Sequence, residues 1–161
     1  MMVLLFLAPL VAAGLAAALR WGALMVTVRG ASMEPAYYDG DRLLALRFRR
    51  LRRGRTVVFR APATWPVGPP GAGPYLVKRV VAVPGDPVPE GMRGVTTAVR
   101  VPGGHVVVYG DSTRSADSRT WGFLPVAALT GVVVAVLERG PRRPPAPSPG
   151  ALPNASRPGA P

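Results

Sequence analysis

The sequence predicts a mainly β protein, with a β-rich domain over residues 25–138 behind one N-terminal transmembrane helix. Two observations support this fold class. Short β-branched or apolar runs recur between Gly, Pro and Asp turn signals along this range, and no amphipathic helical pattern interrupts them. The first 19 residues, in contrast, contain no charged side chain.

The N-terminal apolar segment is the first element in the chain. As a helix, 19 residues at about 1.5 Å each span roughly 28 Å, which is close to the thickness of a bilayer core. A cleaved secretory signal is the alternative, because small residues lie near its end. The absence of a basic n-region favours an uncleaved membrane anchor, which we assign to residues 1–24.

The charges beside this anchor leave its orientation open. Arg20 and Arg29 follow the span, and the positive-inside rule would keep that side cytoplasmic. The rule weakens where a whole domain follows the span. We expect a single-pass protein of the cell membrane with its β-rich domain on the extracytoplasmic side.

The β-rich domain contains six runs with the composition of strands. They are Val26–Arg29, Leu43–Phe48, Thr56–Phe59, Tyr75–Val83, His105–Tyr109 and Gly131–Leu137. Residues 123–137 are apolar enough to suggest a second span. Pro125 and the β-branched run Val132–Val134 favour a strand instead, and fifteen residues are short for a bilayer.

Two segments flanking these strands have biased compositions. Residues 47–55 carry six arginines in nine positions, and we predict a basic hairpin loop there, either solvated or in contact with anionic lipid. Eight prolines occur among the last 22 residues. We therefore predict that residues 139–161 form a Pro-rich disordered tail, since such a segment buries too little apolar surface to fold.

The composition excludes several classes of site. The chain has no cysteine and a single histidine, His105, so thiol catalysis, disulfides and sites built on several histidines are ruled out. A net charge of +12 favours anionic surfaces such as lipid headgroups or nucleic acid. Of the 20 basic residues only Lys78 is a lysine.

Lys78 is the first candidate for chemistry. In a strand of period two it shares a face with Leu76, Val80 and Ala82. Apolar surroundings disfavour the charged ammonium and lower its pKa, so Lys78 could serve as a general base for a serine hydroxyl. The alternative is a lysine that packs its stem on the sheet and extends its amine to water.

Two further segments carry hydroxyls and charges in turns. Ser32 lies in a sharp turn, in the sequence Gly-Ala-Ser-Met-Glu-Pro over residues 30–35. The polar loop 110–122 contains Ser115, which could orient a lysine amine, and Asp117 and Arg119, which could pair and stiffen the loop. Alone, each segment reads equally well as an ordinary turn or surface loop.

Taken together, four motifs resemble type I signal peptidases, the Ser/Lys-dyad serine endopeptidases of the bacterial leader peptidase type. They are Ser-Met-x-Pro at 32–35, Gly-Asp at 40–41, Lys-Arg-Val-Val-Ala-Val-Pro-Gly-Asp at 78–86, and Gly-Asp…Ser-x-Asp-Ser-Arg at 110–119. They occur in the family's order behind an N-terminal apolar segment, and the resemblance covers about residues 1 to 138.

The resemblance implies a role for each of these side chains. Ser32 would be the catalytic nucleophile, Lys78 the general base and Ser115 the hydroxyl that orients the lysine. Asp117 and Arg119 would form a structural ion pair. Met33 would pack beside the dyad. The implied fold is the family's catalytic β core, related to the Ser/Lys repressor peptidases, to which an extended substrate adds as a strand.

The sequence departs from the family pattern in three places. Gly30 stands where some members carry a serine that donates to the oxyanion, so the hole would use backbone donors such as the Ser32 N–H. The spacing from Asp111 to Ser115 is one residue shorter than expected. The stretch between Asp86 and His105 is too short for the large accessory β-domain of some members.

The resulting expectation is a membrane-bound enzyme that cleaves signal peptides from exported preproteins after small residues, without metal or cofactor. Its partners would be those preproteins and the lipid bilayer, with no nucleic acid, and it would act as a monomer. The alternatives are a maturation protease with a narrow client and a non-enzymatic basic membrane protein that binds anionic lipid. His105 is the rival base, as a Ser-His-Asp site would require it.

Overall fold

Seven strands form one antiparallel sheet in the computed structural model, which describes residues 22–47, 50–61 and 74–142. In chain order the strands are β1 Ala23–Thr27, β2 Arg42–Leu46, β3 Thr56–Arg60, β4 Tyr75–Ala82, β5 His105–Tyr109, β6 Leu124–Pro125 and β7 Leu129–Glu138. The short helix α1 spans Ser118–Trp121, and 3₁₀ turns span Glu90–Met92 and Val126–Ala128. The prediction of a mainly β fold is confirmed.

The predicted strands correspond to observed strands, because their β-branched and aliphatic runs suit a pleated, half-buried surface. The apolar stretch 123–137 contains the two-residue strand β6, which the sequence analysis missed, a 3₁₀ turn and most of β7. β6 is short because Pro125 follows Leu124 directly and has no N–H to donate to a ladder. The interpretation of this stretch as strand rather than span agrees with the fold.

The prediction of a basic hairpin over residues 47–55 is wrong. The strand order across the sheet is β1-β2-β7-β3-β4-β5-β6, so β7 lies between β2 and β3 and pairs with both. The arginine-rich segment is therefore a crossover connection. A ten-residue strand from the far end of the sequence fills the gap, and local composition gives no sign of such a long-range insertion.

Apolar side chains cover both faces of the sheet. One cluster joins Val26, Val28, Met33 and Leu43 to inward residues of β3, β4 and β7. A second cluster is centred on Phe59, with Val57, Val80, Val106, Val108, Leu124 and Val132. A strand buried on both sides has no alternating pattern, which is why β3 is buried at four successive positions.

The ends of the described chain bear on the predicted domain boundaries. Residues 1–21 of the predicted anchor lie outside the described residues, and β1 begins at Ala23, two positions before the predicted domain start. Along the ranges that the structure describes, no helix has the length and apolar character needed to cross a bilayer. The predicted tail is described only as far as Arg142.

Those first tail residues are not detached from the sheet. Asp41 is fully buried, and its carboxylate accepts hydrogen bonds from the Gly140 N–H at 2.7 Å and the Arg139 guanidinium at 3.3 Å. Arg142 stacks 4.1 Å from the Tyr38 ring centroid. The chain beyond β7 thus fastens the turn that leads from Ser32 into β2, and the folded unit extends to at least Arg142.

Asp41→Ala should lower the free energy of unfolding by about 2 kcal/mol, because two partly buried N–H donors, from Tyr38 and Gly140, lose a charged acceptor. The exposed pair of Glu90 and Arg93 provides the control, and Glu90→Ala should cost under about 0.5 kcal/mol. Urea unfolding of both variants measures the difference. Equal losses would show that the Asp41 contacts stabilise no more than a surface ion pair does.

Candidate active site

The candidate site lies where the middle of β4 faces the loop that follows β5. Lys78 is the fourth residue of β4 and pairs across the ladder with Val57 of β3. Its side chain is almost entirely buried, at 3 % exposure. The predicted burial of this lysine among apolar neighbours therefore matches the structure, and the alternative of an amine extended to water does not.

The Lys78 amine donates a hydrogen bond of 2.7 Å to the Ser115 hydroxyl. Ser115 Oγ itself lies 3.3 Å from the Ala116 carbonyl oxygen, to which it donates. Because its single proton is used in that bond, the oxygen presents lone pairs to the amine. The structure thus places the Ser115 oxygen where it can hold the Lys78 amine in one direction. The short spacing from Asp111 to Ser115 does not prevent this contact.

Burial lowers the pKa of Lys78 to about 8, since removal from water disfavours the ammonium. Neighbouring charges act on the amine in both directions. Asp117 and Asp111 raise its pKa, while Arg119 lowers it. Desolvation outweighs these charges, so the pKa stays lowered and about one tenth of the Lys78 amines are neutral at pH 7.

Ser32 lies in the turn between β1 and β2, as predicted, and is partly exposed. Its carbonyl oxygen accepts the Ser112 N–H at 3.1 Å, and the Ser112 carbonyl in turn accepts the Ser115 N–H at 3.1 Å. Two backbone bonds thus tie the Ser32 turn to the residue that contacts Lys78. Within the described residues no hydrogen bond joins the Ser32 hydroxyl to the Lys78 amine, so that pairing stays a prediction.

Gly110 makes this close approach possible. A Cβ at this position would lie 2.5 Å from the Ser32 carbonyl oxygen and would overlap the Ser115 side chain. Only a residue without a side chain lets the two serines meet here. The motif Gly-Asp at 110–111 was noted in the sequence, but its glycine was given no part in the site.

Asp117 and Arg119 form the predicted ion pair. Two parallel bonds of 2.9 and 2.7 Å join the guanidinium to the fully buried carboxylate. Asp117 also accepts the Gly110 N–H at 2.8 Å and caps α1 through the Arg119 N–H. Burial alone would raise the pKa of Asp117, but these donors together hold it below its ordinary value.

A second two-pronged pair was missed by the sequence analysis. Arg79, next to Lys78, donates to Asp111 at 2.8 and 2.6 Å and to the Gly54 carbonyl at 2.9 Å. It joins β4 to the loop after β5 and to the arginine-rich connection. The signal for it was the basic residue directly after Lys78, on the opposite face of the strand from the lysine.

Met33 is fully buried and packs in the cluster that contains Val77, the neighbour of Lys78. A cleft of about 350 Å³ opens beside it, between β1 and the start of β4, and Ser32 lines it. The outer edge of β1 is unpaired within the described sheet. An extended peptide could therefore lie along β1 and present a peptide bond to Ser32.

His105 is placed away from this centre. It opens β5, where its ring contacts the Gly103 carbonyl at 3.0 Å and Phe123 edge-on at 6.3 Å. Four residues of strand separate it from Tyr109, at the Lys78 end of β5, which is roughly 13 Å. The structure does not bring His105 to the serine and lysine.

The sequence matches the signal peptidase family, peptidase S26, over residues 1–90 and 89–138. The chain belongs to this family. It is 34 % identical over 125 residues to "Probable signal peptidase I-1" of Synechocystis sp., covering 62 % of this chain and 63 % of that protein. It is 32 % identical over 119 residues to "Mitochondrial inner membrane protease subunit 2" of Schizosaccharomyces pombe, covering 69 % of this chain and 62 % of that protein.

The resemblance inferred from the four motifs is therefore confirmed at the level of the family. The chain spans somewhat under two thirds of the length of each of these relatives. The β sheet described above is consistent with a peptidase S26 core.

Gly110→Ala should reduce catalytic turnover at least 100-fold, because the added methyl forces apart the Ser32 backbone and the Ser115 side chain. Gly103→Ala is the matched control, since a Cβ there meets nothing within 4 Å. Cleavage of a signal-peptide substrate by both purified variants measures the effect. If the two variants cleave equally fast, the close approach at Gly110 has no catalytic importance.

Lys78→Met tests the desolvation of the amine. The folded pKa of about 8 lies below that of an unfolded lysine near 10.4, so the unfolded state binds more protons between these values. Wild-type stability should therefore rise with pH across this window, whereas the methionine variant lacks this contribution. At pH 7 the methionine variant should have the higher free energy of unfolding. Its difference from wild type should shrink by about 2–3 kcal/mol from pH 7 to pH 10. Parallel stability curves would contradict the lowered pKa.

Proposed function

We propose that this protein is a membrane-anchored serine endopeptidase that removes signal peptides from exported preproteins through a Ser32–Lys78 dyad. The observation that carries the proposal is the buried lysine amine, held at 2.7 Å by Ser115 on a loop that is hydrogen-bonded to the Ser32 backbone. The family to which the chain belongs, and its similarity to a signal peptidase of Synechocystis sp., support the same activity.

The reaction would begin with a preprotein bound as an extended strand along β1. Ser32 Oγ attacks the scissile carbonyl carbon, and the neutral Lys78 amine takes the hydroxyl proton. Lys78 then returns this proton to the leaving amine, and an acyl-enzyme on Ser32 remains. Water, activated by the same amine, cleaves the ester and regenerates Ser32.

The negative charge on the tetrahedral intermediate needs hydrogen-bond donors. Gly30 has no hydroxyl to offer, and its own N–H donates to Asp39 at 2.7 Å. In the described part of the chain the Ser32 N–H donates to no protein acceptor. It is therefore the first candidate donor of the oxyanion hole, as expected from the sequence.

The Ser115 hydroxyl would orient the general base through its bond to the Lys78 amine. The Asp117–Arg119 pair and Met33 would position the dyad without touching the reacting atoms. Ser115 fixes the direction of the amine, Asp117 and Arg119 fix the loop that holds Ser115, and Met33 fills the space beneath the turn of Ser32. The catalytic domain would face the extracytoplasmic side, with the N-terminal apolar segment that precedes β1 as its single membrane span.

A protease with one dedicated client is a second candidate, because the short stretch between Asp86 and His105 leaves a near-minimal core. The two functions differ in the range of substrates. Cleavage of several unrelated preproteins at comparable rates would favour the general peptidase, and cleavage of one of them at least 100-fold faster than the rest would favour the dedicated protease.

Ser32→Ala and Lys78→Ala should each abolish cleavage of a preprotein by the detergent-solubilised chain, by at least 1,000-fold, since each removes one half of the dyad. Thr113→Ala, in the exposed part of the loop that carries Ser115, is the control and should cleave within twofold of wild type. The wild-type rate should rise about tenfold per pH unit below pH 8 and level off above it, because only the neutral amine accepts a proton.

Retention of activity in Lys78→Ala would remove the lysine from the mechanism. A rate that is flat from pH 6 to pH 9 would contradict the titration of Lys78 even if the alanine variant were inactive. His105→Ala, which should cleave at the wild-type rate, separates the dyad from a histidine-based site.

A further inference from the structure

A second cleft, of about 590 Å³, lies on the far side of Tyr75 from the candidate active site. Arg47 and Arg60 line it together with the aliphatic side chains of Ala127, Ala128 and Leu129. Its volume falls within the usual range for small-molecule sites. Two guanidinium groups and three aliphatic side chains in one cleft suit a ligand that is apolar at one end and anionic at the other.

The two arginines of this cleft have no counter-ion in the described protein. The chain has eight acidic residues against twenty basic ones. Six of the eight already pair with other arginines: Asp41, Asp86, Glu90, Asp111, Asp117 and Glu138. Among the residues that the structure describes, neither the Arg47 nor the Arg60 side chain has a hydrogen-bond or ion-pair partner. Their charge is available to an external anion.

The position of the cleft indicates where this anion comes from. The Arg47 N–H donates to the Gly22 carbonyl at 2.8 Å, so the cleft lies beside the residue at which the chain leaves its N-terminal apolar segment. If that segment spans a bilayer, Arg47 is at the depth of the lipid headgroups. Arg50 and Arg52, both exposed, continue the positive charge along the same connection.

We propose that this cleft binds an anionic phospholipid, with its phosphate between Arg47 and Arg60 and the first part of an acyl chain against Ala127, Ala128 and Leu129. Guanidinium groups bind phosphate oxygens in paired hydrogen bonds, and the aliphatic side chains of the cleft suit the methylene groups of an acyl chain. The proposal rests on the membrane anchoring that belongs to the proposed function.

Tyr75 connects this cleft to catalysis, because it also lines the cleft that contains Ser32. A lipid held at Arg47 and Arg60 would keep the substrate cleft at the membrane surface, where the cleavage site of a membrane-inserted signal peptide emerges. Bound lipid should therefore raise kcat/KM for membrane-inserted preproteins and leave the cleavage of a short soluble peptide unchanged.

The test uses the full chain in detergent, mixed with equal amounts of phosphatidylglycerol and phosphatidylcholine, and native mass spectrometry counts the retained lipids. Wild type should retain at least fivefold more phosphatidylglycerol. The Arg47→Gln/Arg60→Gln variant should retain the two lipids within twofold of each other. Arg93→Gln/Arg100→Gln, which removes the same charge from exposed positions elsewhere, should keep the wild-type preference.

A second variant, Ala127→Glu, keeps both arginines and places a carboxylate at the exposed rim of the cleft. It should also lose the preference. The proposal is overturned if both cleft variants keep the preference, or if the control variant loses it to the same extent. Displacement of the lipid by excess inorganic phosphate, or by a single-stranded oligonucleotide, would reassign the cleft to free phosphate or nucleic acid and would equally overturn it.

Cleavage of a short soluble signal-peptide substrate is measured on the same preparations and separates this inference from the proposed function. All of these variants should cleave it within twofold of wild type. A chain that prefers phosphatidylglycerol but cleaves no substrate would remove the proposed function and leave the lipid site. Active chains without any lipid preference would remove the lipid site alone.

Discussion

The burial of one amine against one hydroxyl is the constraint on which the site depends. An ammonium is costly to remove from water, and Lys78 is nevertheless placed in the middle of β4 with almost no exposure. Its bond to Ser115 offsets part of that cost whether the amine is charged or neutral, because both forms can donate. The remaining cost appears as the lowered pKa, so the same burial that destabilises the fold makes the lysine a usable base.

The surrounding ion pairs protect this lowered pKa. Two carboxylates, Asp111 and Asp117, lie close enough to raise the pKa of Lys78. Each of them is held by an arginine in two parallel hydrogen bonds, from Arg79 and Arg119 respectively. A paired carboxylate exerts a weaker field on a third charge than a free one. The pairs therefore stiffen the loop and also limit how strongly its acids stabilise the ammonium.

The sequence allowed the strands, the family and the principal side chains to be predicted, because their signals are local. A lysine among apolar neighbours can be recognised from the nine residues Tyr75–Val83 alone. The β-branched runs can likewise be recognised from short segments. Pairing across the sheet is not local, and this explains the error at residues 47–55. The insertion of β7 between β2 and β3 pairs residues of β2 and β7 that are 86 to 96 positions apart, and hydrophobic patterning does not encode which strands become neighbours.

Two other features were invisible for the same reason. Arg139 and Gly140 read as the start of a proline-rich tail, yet they complete the buried site of Asp41. From the sequence, Gly110 is only part of a Gly-Asp turn motif. In the fold, its missing side chain is what lets the Ser32 backbone and the Ser115 side chain approach each other. In both cases the residue type gives no local signal, and the constraint comes from a partner that only the folded chain brings near.

The choice of cations along the chain follows from these constraints. Arginine stays protonated under all ordinary conditions and binds carboxylates in a fixed, two-pronged geometry, which suits Arg79 and Arg119. Lysine has neither property, and a buried amine can lose its proton near neutral pH. A chain that uses arginine at nineteen positions and lysine at one has its lysine at a buried position of the described sheet, where removal from water lowers the pKa of the amine. An arginine at position 78 could occupy similar space but would stay protonated. Under the proposed mechanism, the identity of this residue therefore follows from the chemistry rather than from the fold.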